Sequence, residues 1–168
     1  MSGQRRPGLE LPVVDFLDTS VLVEILDIPH RNAHRAGVLS EMDKRLEART
    51  RFVLPTATVI ETGNHVFQVK DGATRRTCAR SFMNMLVKTA RGEAPWVLHE
   101  RTWDSGFLTS LCEGASTSID LVEHAARQQL GTGDLSIVAE RDLYASRVRA
   151  DVRIWTLEAV MDTWARLS

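Results

Sequence analysis

The chain has 168 residues, of which 43% are hydrophobic and 26% are charged, and its formal net charge is −1. This length fits one domain, so we expect residues 12–168 to form a single domain after a flexible leader at residues 1–11. The small net charge excludes a protein that binds polyanions through bulk charge. The longest apolar region, residues 11–28, is interrupted by four carboxylates, which excludes a membrane span or a signal peptide.

Short apolar runs alternate with amphipathic segments along the chain. Strands are predicted at Val13–Leu17, Phe52–Pro55, Trp96–His99 and Val152–Trp155. Helices are predicted at Val21–Leu26, Asn32–Arg49, Thr56–Val69, Ala73–Ala90, Ser118–Leu130, Asp134–Ser146 and Glu158–Leu167, while residues 103–116 show no clear pattern. This alternation predicts an α/β protein, a three-layer α/β/α sandwich around a central parallel sheet of about four or five strands.

Four carboxylates fall at corresponding places in this pattern. Asp18 ends the first strand, where it is also suited to cap the next helix, and Glu61 lies one turn into the helix after the second strand. Asp134 opens a helix after a predicted turn at residues 131–133, and Glu158 follows the last strand. Because ligands of parallel sheets bind at the carboxyl ends of the strands, we expect these four side chains to converge.

Convergence of carboxylates has an energetic consequence. Two carboxylates about 4 Å apart repel each other by roughly 4 kcal/mol at an effective dielectric constant of about 20. Such a cluster therefore raises the pKa values of its members or binds a cation. Hard oxygen ligands select Mg²⁺, Mn²⁺ or Ca²⁺ over zinc, and Mg²⁺ held by a few carboxylates is the usual arrangement for phosphoryl chemistry, so Mg²⁺ or Mn²⁺ is the predicted cofactor.

Four sequence blocks resemble those of PIN-domain nucleases. The blocks are VVDFLDTSVLVEIL at residues 13–26, LPTATVIETGNHV at 54–66, GTGDLSIVAERD at 131–142 and VRIWTLE at 152–158. They occur in the order that this family has, and together they span residues 13–158. The resemblance implies the PIN-like version of the α/β/α sandwich.

The resemblance also implies site residues. Asp18, Glu61 and Asp134 match the metal-binding and catalytic carboxylates of the family. Glu158 stands where many members have Asp, so Asp162, one helical turn further on, is the alternative fourth carboxylate. The resemblance further implies supporting hydroxyl groups at Thr19 and Thr156, although helix capping explains these two residues almost as well.

The implied activity is Mg²⁺- or Mn²⁺-dependent hydrolysis of RNA. Many stand-alone members of this size are toxins of toxin–antitoxin pairs, which implies a small antitoxin partner. Two alternatives remain: a catalytically weak PIN-like module that binds nucleic acid or protein, and a Mg²⁺-dependent phosphohydrolase with another substrate. The apolar residues of Val21–Leu26 and Ala33–Leu39 further predict association, as a homodimer or with the antitoxin.

Structural explanations are favoured for several other polar residues. The spacing of Asp15 from Asp18 places them on opposite faces of a strand, and we expect Asp15 at its solvent side. His30 and His34 have the spacing of a zinc pair, but the absence of a nearby third ligand favours surface histidines. His65 is expected to be a half-buried structural residue or an orienting group beside Glu61.

Aromatic and basic residues give weaker signals for nucleic-acid binding. Of the tryptophans, Trp103 is the candidate for an exposed ring that stacks on bases, whereas Trp155 is predicted in the core. Three arginines at helical spacing, Arg75, Arg76 and Arg80, form either a solvated face or a surface for RNA or an antitoxin. Cys78 and Cys112 lack metal-ligand spacing, so two reduced thiols in a cytoplasmic protein are favoured over a disulfide.

Overall fold

Strands and helices alternate along the part of the chain that the structure describes. The structure is a computed structural model, and it describes residues 10–99 and 103–167. Its strands are β1 (Val13–Leu17), β2 (Arg51–Leu54), β3 (Trp96–Leu98) and β4 (Asp151–Trp155). Its α-helices are α1 (Thr19–Ile25), α2 (Arg35–Glu47), α3 (Thr56–Phe67), α4 (Gly72–Ala90), α5 (Ser105–Cys112), α6 (Leu121–Ala126), α7 (Thr132–Ala145) and α8 (Ala159–Asp162), with a 3₁₀ turn at Ala115–Thr117. Of the leader predicted at residues 1–11, residues 1–9 lie outside the described part.

The four strands form one parallel sheet in the order β3-β2-β1-β4. The strands β2 and β3 extend the sheet from one side of β1, and β4 lies on the other side of β1. The strand order therefore reverses between β1 and β4, which is where parallel sheets open a crevice for ligands. The backbone N–H of Asp18 donates to the carbonyl of Trp155 at 3.0 Å, which joins the carboxyl ends of these two strands.

Each face of the sheet is covered by a separate apolar core. One core joins Leu17, Phe52 and Trp155 to residues of α1, α2 and α4. The other joins Phe16 and Ile154 to residues of α5, α7 and α8. Both faces of β1 are therefore buried. Successive residues of a strand point to opposite faces, so almost every residue of β1 has to be apolar. The predicted α/β/α sandwich with a central parallel sheet is confirmed.

The first helices differ from prediction in their starts and in their caps. The helix α2 begins at Arg35 and not at Asn32, and its N-cap, His34, has φ of −110° and ψ of 11° and makes no side-chain cap hydrogen bond. The helix α3 begins at Thr56, but its N-cap is Pro55 and no side chain caps it. Thr58 does not cap α3, and its hydroxyl instead donates to the carbonyl of Leu17 at 2.7 Å.

The apolar residues on which association was predicted differ in burial. Val21 and Leu22 of α1 and Val38 of α2 are buried in the chain's own core. Ala33 and Ala36 are exposed. The buried residues stabilise the fold and are not available to a partner, whereas the exposed ones remain available, so association through these helices stays a prediction.

Two helices of the C-terminal half, α6 and α8, are shorter than the sequence predicts. Of the helix predicted at Ser118–Leu130 only α6 forms, since Ser118 and Gln128 have positive φ values. After α8 the chain turns back to β4, where the N–H of Ile154 donates to the carbonyl of Ala165 at 2.8 Å. The predicted turn at residues 131–133 is also wrong, because Thr132 and Gly133 form the first residues of α7.

Asp15 is fully buried, which contradicts its predicted position at the solvent side of the strand. Its two carboxylate oxygens lie 2.6 Å from Nη1 of Arg45 and 3.2 Å from Nε of Arg153. The guanidinium carbon of Arg45 also lies 4.4 Å from the centre of the Trp155 ring. A buried carboxylate is tolerated only when it is paired in this way, and the two partners lie too far along the chain for spacing to predict them.

No helix among residues 10–99 and 103–167 is long and apolar enough to cross a membrane. Both cysteines are free, with Cys78 buried and Cys112 exposed.

Candidate active site

The four predicted carboxylates line one open pocket of about 370 Å³ at the carboxyl ends of the strands. Asp18 lies between β1 and α1, and Glu61 lies in the second turn of α3. Asp134 lies in the first turn of α7, and Glu158 lies between β4 and α8. Four separate segments therefore bring these carboxylates together, as the sequence predicted.

Asp18 is both a helix cap and a wall of the pocket. Its Oδ2 accepts hydrogen bonds from the backbone N–H of Ser20 at 3.3 Å and from the Ser20 hydroxyl at 2.5 Å. The hydroxyl of Thr156 donates to the same oxygen at 2.8 Å. Within the described residues Oδ1 accepts no hydrogen bond, so it is available to a ligand. Thr156 thus has the supporting contact that the resemblance implied, whereas the part played by Ser20 was not predicted.

The Glu61 carboxylate is fixed by two neighbours. The hydroxyl of Thr19 donates to Glu61 Oε2 at 2.6 Å, which is the supporting contact implied for Thr19. The other neighbour is Gly133, where an added Cβ would clash with the Glu61 carboxylate. The helix α7 therefore approaches Glu61 closely because residue 133 has no side chain.

Asp134 has the most strongly shifted pKa among the carboxylates of the pocket. Burial raises its pKa from the ordinary value of 3.8 to about 6, and the negative charges of Asp18, Glu61 and Glu158 act in the same direction. A hydrogen bond from the backbone N–H of Gly131 to Asp134 Oδ2, 3.0 Å long, opposes this shift. The direction agrees with the repulsion expected from clustered carboxylates, although burial is the larger cause.

Glu158 belongs to the pocket, and the alternative carboxylate does not line it. Burial raises the pKa of Glu158, the charges of Asp18 and Glu61 add to the shift, and Arg31 opposes it. Asp162 is exposed on α8 and is not among the residues of the pocket wall. The geometry therefore favours Glu158 as the fourth carboxylate.

Polar residues that the sequence analysis did not assign complete the wall: Arg31, Asn64 and Gln68. Arg31 lies in the irregular loop between α1 and α2, where no periodicity marks a residue as part of a site. His65 is half-buried, and its pKa is lowered first by burial and then by the charge of Arg31. Its Nδ1 is buried without a hydrogen-bond partner among the described residues.

The donor chemistry of the pocket fits Mg²⁺ or Mn²⁺. The wall residues that the structure describes supply four carboxylates and, of the softer ligand types, a single histidine and no cysteine. Among the described residues, however, no group of three or more His, Cys, Asp or Glu side chains is already arranged to hold a metal ion. Hydrogen bonds from hydroxyl groups hold the carboxylates of Asp18 and Glu61 in place.

The other candidates lie outside the pocket or in the core. His34 is exposed and His30 lines a neighbouring cavity, as expected of surface histidines. Trp155 is buried as predicted, and Trp103, the candidate for an exposed ring, is 49% exposed. Arg75 is exposed, but its guanidinium donates to the carbonyl of Val69 at 2.8 Å.

Comparisons of the chain with protein-family models, with curated proteins and with solved structures gave no significant match. Function must therefore be inferred from the chemistry of the pocket and from the sequence blocks that form it.

Proposed function

We propose that this chain is a Mg²⁺- or Mn²⁺-dependent ribonuclease of the PIN-domain type. The observation that carries this proposal is the convergence of Asp18, Glu61, Asp134 and Glu158 from four segments on one pocket. Among the described residues, Arg31 is the one Lys or Arg in the wall of this pocket, so the described carboxylates greatly exceed the cations there. An excess of negative charge is useful in a site that binds a divalent ion and, through it, a phosphate group.

The residues of the chain hold and tune this site. Asp18, Asp134 and Glu158 would bind the ion, and Glu61 would bind it directly or through water. Mg²⁺ or Mn²⁺, when bound, supplies charge neutralisation on the phosphodiester and acidifies the attacking water. Ser20 and Thr156 hold the Asp18 carboxylate by its Oδ2 atom, and Thr19 holds Glu61, so the ligands start close to their working positions.

By the same resemblance, cleavage would leave a 5′-phosphate and a 3′-hydroxyl. The chain would act as the toxin of a toxin–antitoxin pair in the cytoplasm, inhibited by a small partner protein. An association surface for this partner, or for a homodimer, would lie away from Val21, Leu22 and Val38, since these residues are buried.

The test is a cleavage assay on mixed single-stranded RNA and DNA with Mg²⁺, with Mn²⁺ and with EDTA. We expect cleavage of RNA that EDTA abolishes and that Asp18→Asn reduces by at least about 100-fold, because the amide keeps the cap but loses the charge. The matched control is Asp43→Asn, which changes an exposed carboxylate of α2 and should leave cleavage unchanged. Undiminished cleavage in EDTA, or in purified Asp18→Asn protein, would contradict the proposal.

A second candidate is a PIN-like module that binds nucleic acid or protein without cutting. The observation that favours it is Glu158, which stands where many members of the family have Asp. Calorimetric binding of Mn²⁺ without cleavage of either nucleic acid would identify this case. A panel of small phosphate esters in the same assay would detect the remaining alternative, a phosphohydrolase with another substrate.

A further inference from the structure

A second and larger cavity lies beside the carboxylate pocket. It has a volume of about 630 Å³ and lies between the loop after α1 and the corner that joins α3 to α4. Arg31 and Lys70 line it as fixed positive charges, and His30 and His65 line it as imidazoles. Asp71 is the one carboxylate in its wall, and its Oδ2 already accepts a hydrogen bond from the N–H of Thr74 at 2.7 Å.

The cavity and the carboxylate pocket adjoin each other. Arg31, His65 and Gln68 line both of them. A chain molecule bound at the carboxylates could therefore extend past these three side chains into the larger cavity. The charge changes sign along this path, from the acidic pocket to the cavity with two fixed cations.

Arg31 lines both regions, and its charge acts on Glu158 and His65 without a direct ion pair among the described residues. Its exposed side chain makes no hydrogen bond or ion pair with any residue in the described ranges. Other arginines are engaged: Arg45 pairs with Asp15, and the buried Arg141 donates to the carbonyls of Trp164 and Ala165. An unpaired guanidinium beside a phosphodiester-cleaving site is well placed to bind a phosphate, because its planar donors match phosphate oxygens.

We propose that this cavity binds the backbone of the single-stranded substrate next to the bond that is cut, with Arg31 and Lys70 each contacting one phosphate. This inference rests on the proposed nuclease function. It differs from a basic surface on α4, because Arg76 and Arg80 line neither the cavity nor the pocket. Contacts to phosphate carry no base sequence, so the cavity would position the strand without selecting it.

The experiment measures binding of the whole chain to a labelled strand of about 12 nucleotides in EDTA, by fluorescence anisotropy. RNA and DNA of the same sequence are both titrated, at several salt concentrations from about 50 mM upward. The variants are Arg31→Ala and Lys70→Ala, with Arg31→Lys as the conservative change. The matched control is Arg76→Ala, which removes an exposed arginine of α4 outside the cavity. Thermal melting of each variant confirms that it is folded.

We expect Arg31→Ala and Lys70→Ala each to weaken binding of both strands roughly fivefold at low salt. Each should also reduce the slope of log affinity against log salt by about 0.7, the value of one lost single-strand phosphate contact. Arg31→Lys should retain more affinity than Arg31→Ala, and Arg76→Ala should bind as the wild type does. Any one of four results would overturn the proposal: no binding by the wild type, unchanged binding by both cavity variants, an equal loss of binding in Arg76→Ala, or a loss of binding for RNA alone. Because the assay needs no cleavage, an inactive protein that still shows this pattern would refute the nuclease function and not the binding site.

Discussion

Replacing Asp134 by Asn should stabilise the protein in the absence of metal while abolishing its activity. In the native state this carboxylate is half-buried and close to three others, which raises its pKa to about 6. The Asn side chain keeps an oxygen that can accept the hydrogen bond from the N–H of Gly131, so the start of α7 remains capped. The substitution therefore removes the unfavourable charge and preserves the structural contact.

The size of the effect follows from the acidity. Each tenfold change in proton affinity is equivalent to about 1.36 kcal/mol. A rise in the pKa of Asp134 from 3.8 to about 6 therefore limits the stabilisation by Asp134→Asn to about 3 kcal/mol. Water screens this charge because Asp134 is partly exposed, so we expect about 1 kcal/mol at pH 7.5. For a domain of this length that corresponds to a rise in melting temperature of roughly 3 °C.

The sign of the pH dependence is fixed by the direction of the shift. The folded pKa of Asp134 lies above its unfolded pKa, so the native state binds more protons between pH 3.8 and about 6. The contribution of Asp134 to wild-type stability is complete below about pH 3.8 and is lost as the pH rises through about 6. The advantage of Asp134→Asn over the wild type should therefore be largest above pH 7 and should vanish toward pH 4.

The assay is thermal melting of both proteins in EDTA across this pH range, repeated with saturating Mn²⁺. Mn²⁺ should stabilise the wild type more than the variant, because an ion that binds only the folded state shifts the unfolding equilibrium. A variant that is less stable than the wild type at every pH in EDTA would show that Asp134 is a structural cap. In that case the carboxylate cluster would have no role in binding metal.

Two further substitutions test the geometry of the pocket. Glu158→Gln should raise the Mn²⁺ concentration needed for half-maximal cleavage by about tenfold, whereas Asp162→Asn should leave it unchanged; the opposite ranking would transfer the ligand role to Asp162. Gly133→Ala should reduce cleavage by about tenfold without lowering the melting temperature, because the added Cβ displaces the carboxylate of Glu61 in the folded state. Gly37→Ala is its control, since a Cβ there meets no atom within 4 Å and cleavage should be unaffected; full activity of Gly133→Ala would show that Glu61 need not stay in place.

The sheet could be predicted closely because buried parallel strands have a simple sequence pattern. All four predicted strands form, and each bound lies within one residue of its predicted position. Helix bounds were harder to predict where the backbone leaves the helical region at single residues. Asp27, His30, Ser118 and Gln128 all have positive φ, and none of them is glycine. Such positions are set by the loops that must be closed, which local propensity does not encode.

The carboxylates of the site could be predicted because topology places strand ends together. Asp18 and Glu158 follow neighbouring strands, so the strand pattern alone implies that they approach each other. Arg31 and Gln68 reach the pocket from an irregular loop and from the end of a helix, and nothing in the spacing of their neighbours marks them. The contact of Gly133 with Glu61 was not predicted, because glycines at residues 131–133 are typical of a turn. In the structure, Gly133 instead allows two helices to approach each other closely.

Asp15 and Asp18 show how a carboxylate that stabilises the fold differs from one that belongs to a site. Asp15 lies in the middle of β1 and Asp18 directly follows this strand, and both are almost fully buried. Asp15 is neutralised by Arg45 and Arg153, whereas Asp18 accepts hydrogen bonds from hydroxyl and amide groups and, within the described ranges, pairs with no cation. Burying a charge without a counter-ion is unfavourable, so a fold selected for stability alone would be expected to pair both aspartates. The fold compensates Asp15 and leaves the pocket of Asp18 with an excess of negative charge, which a divalent cation is suited to balance.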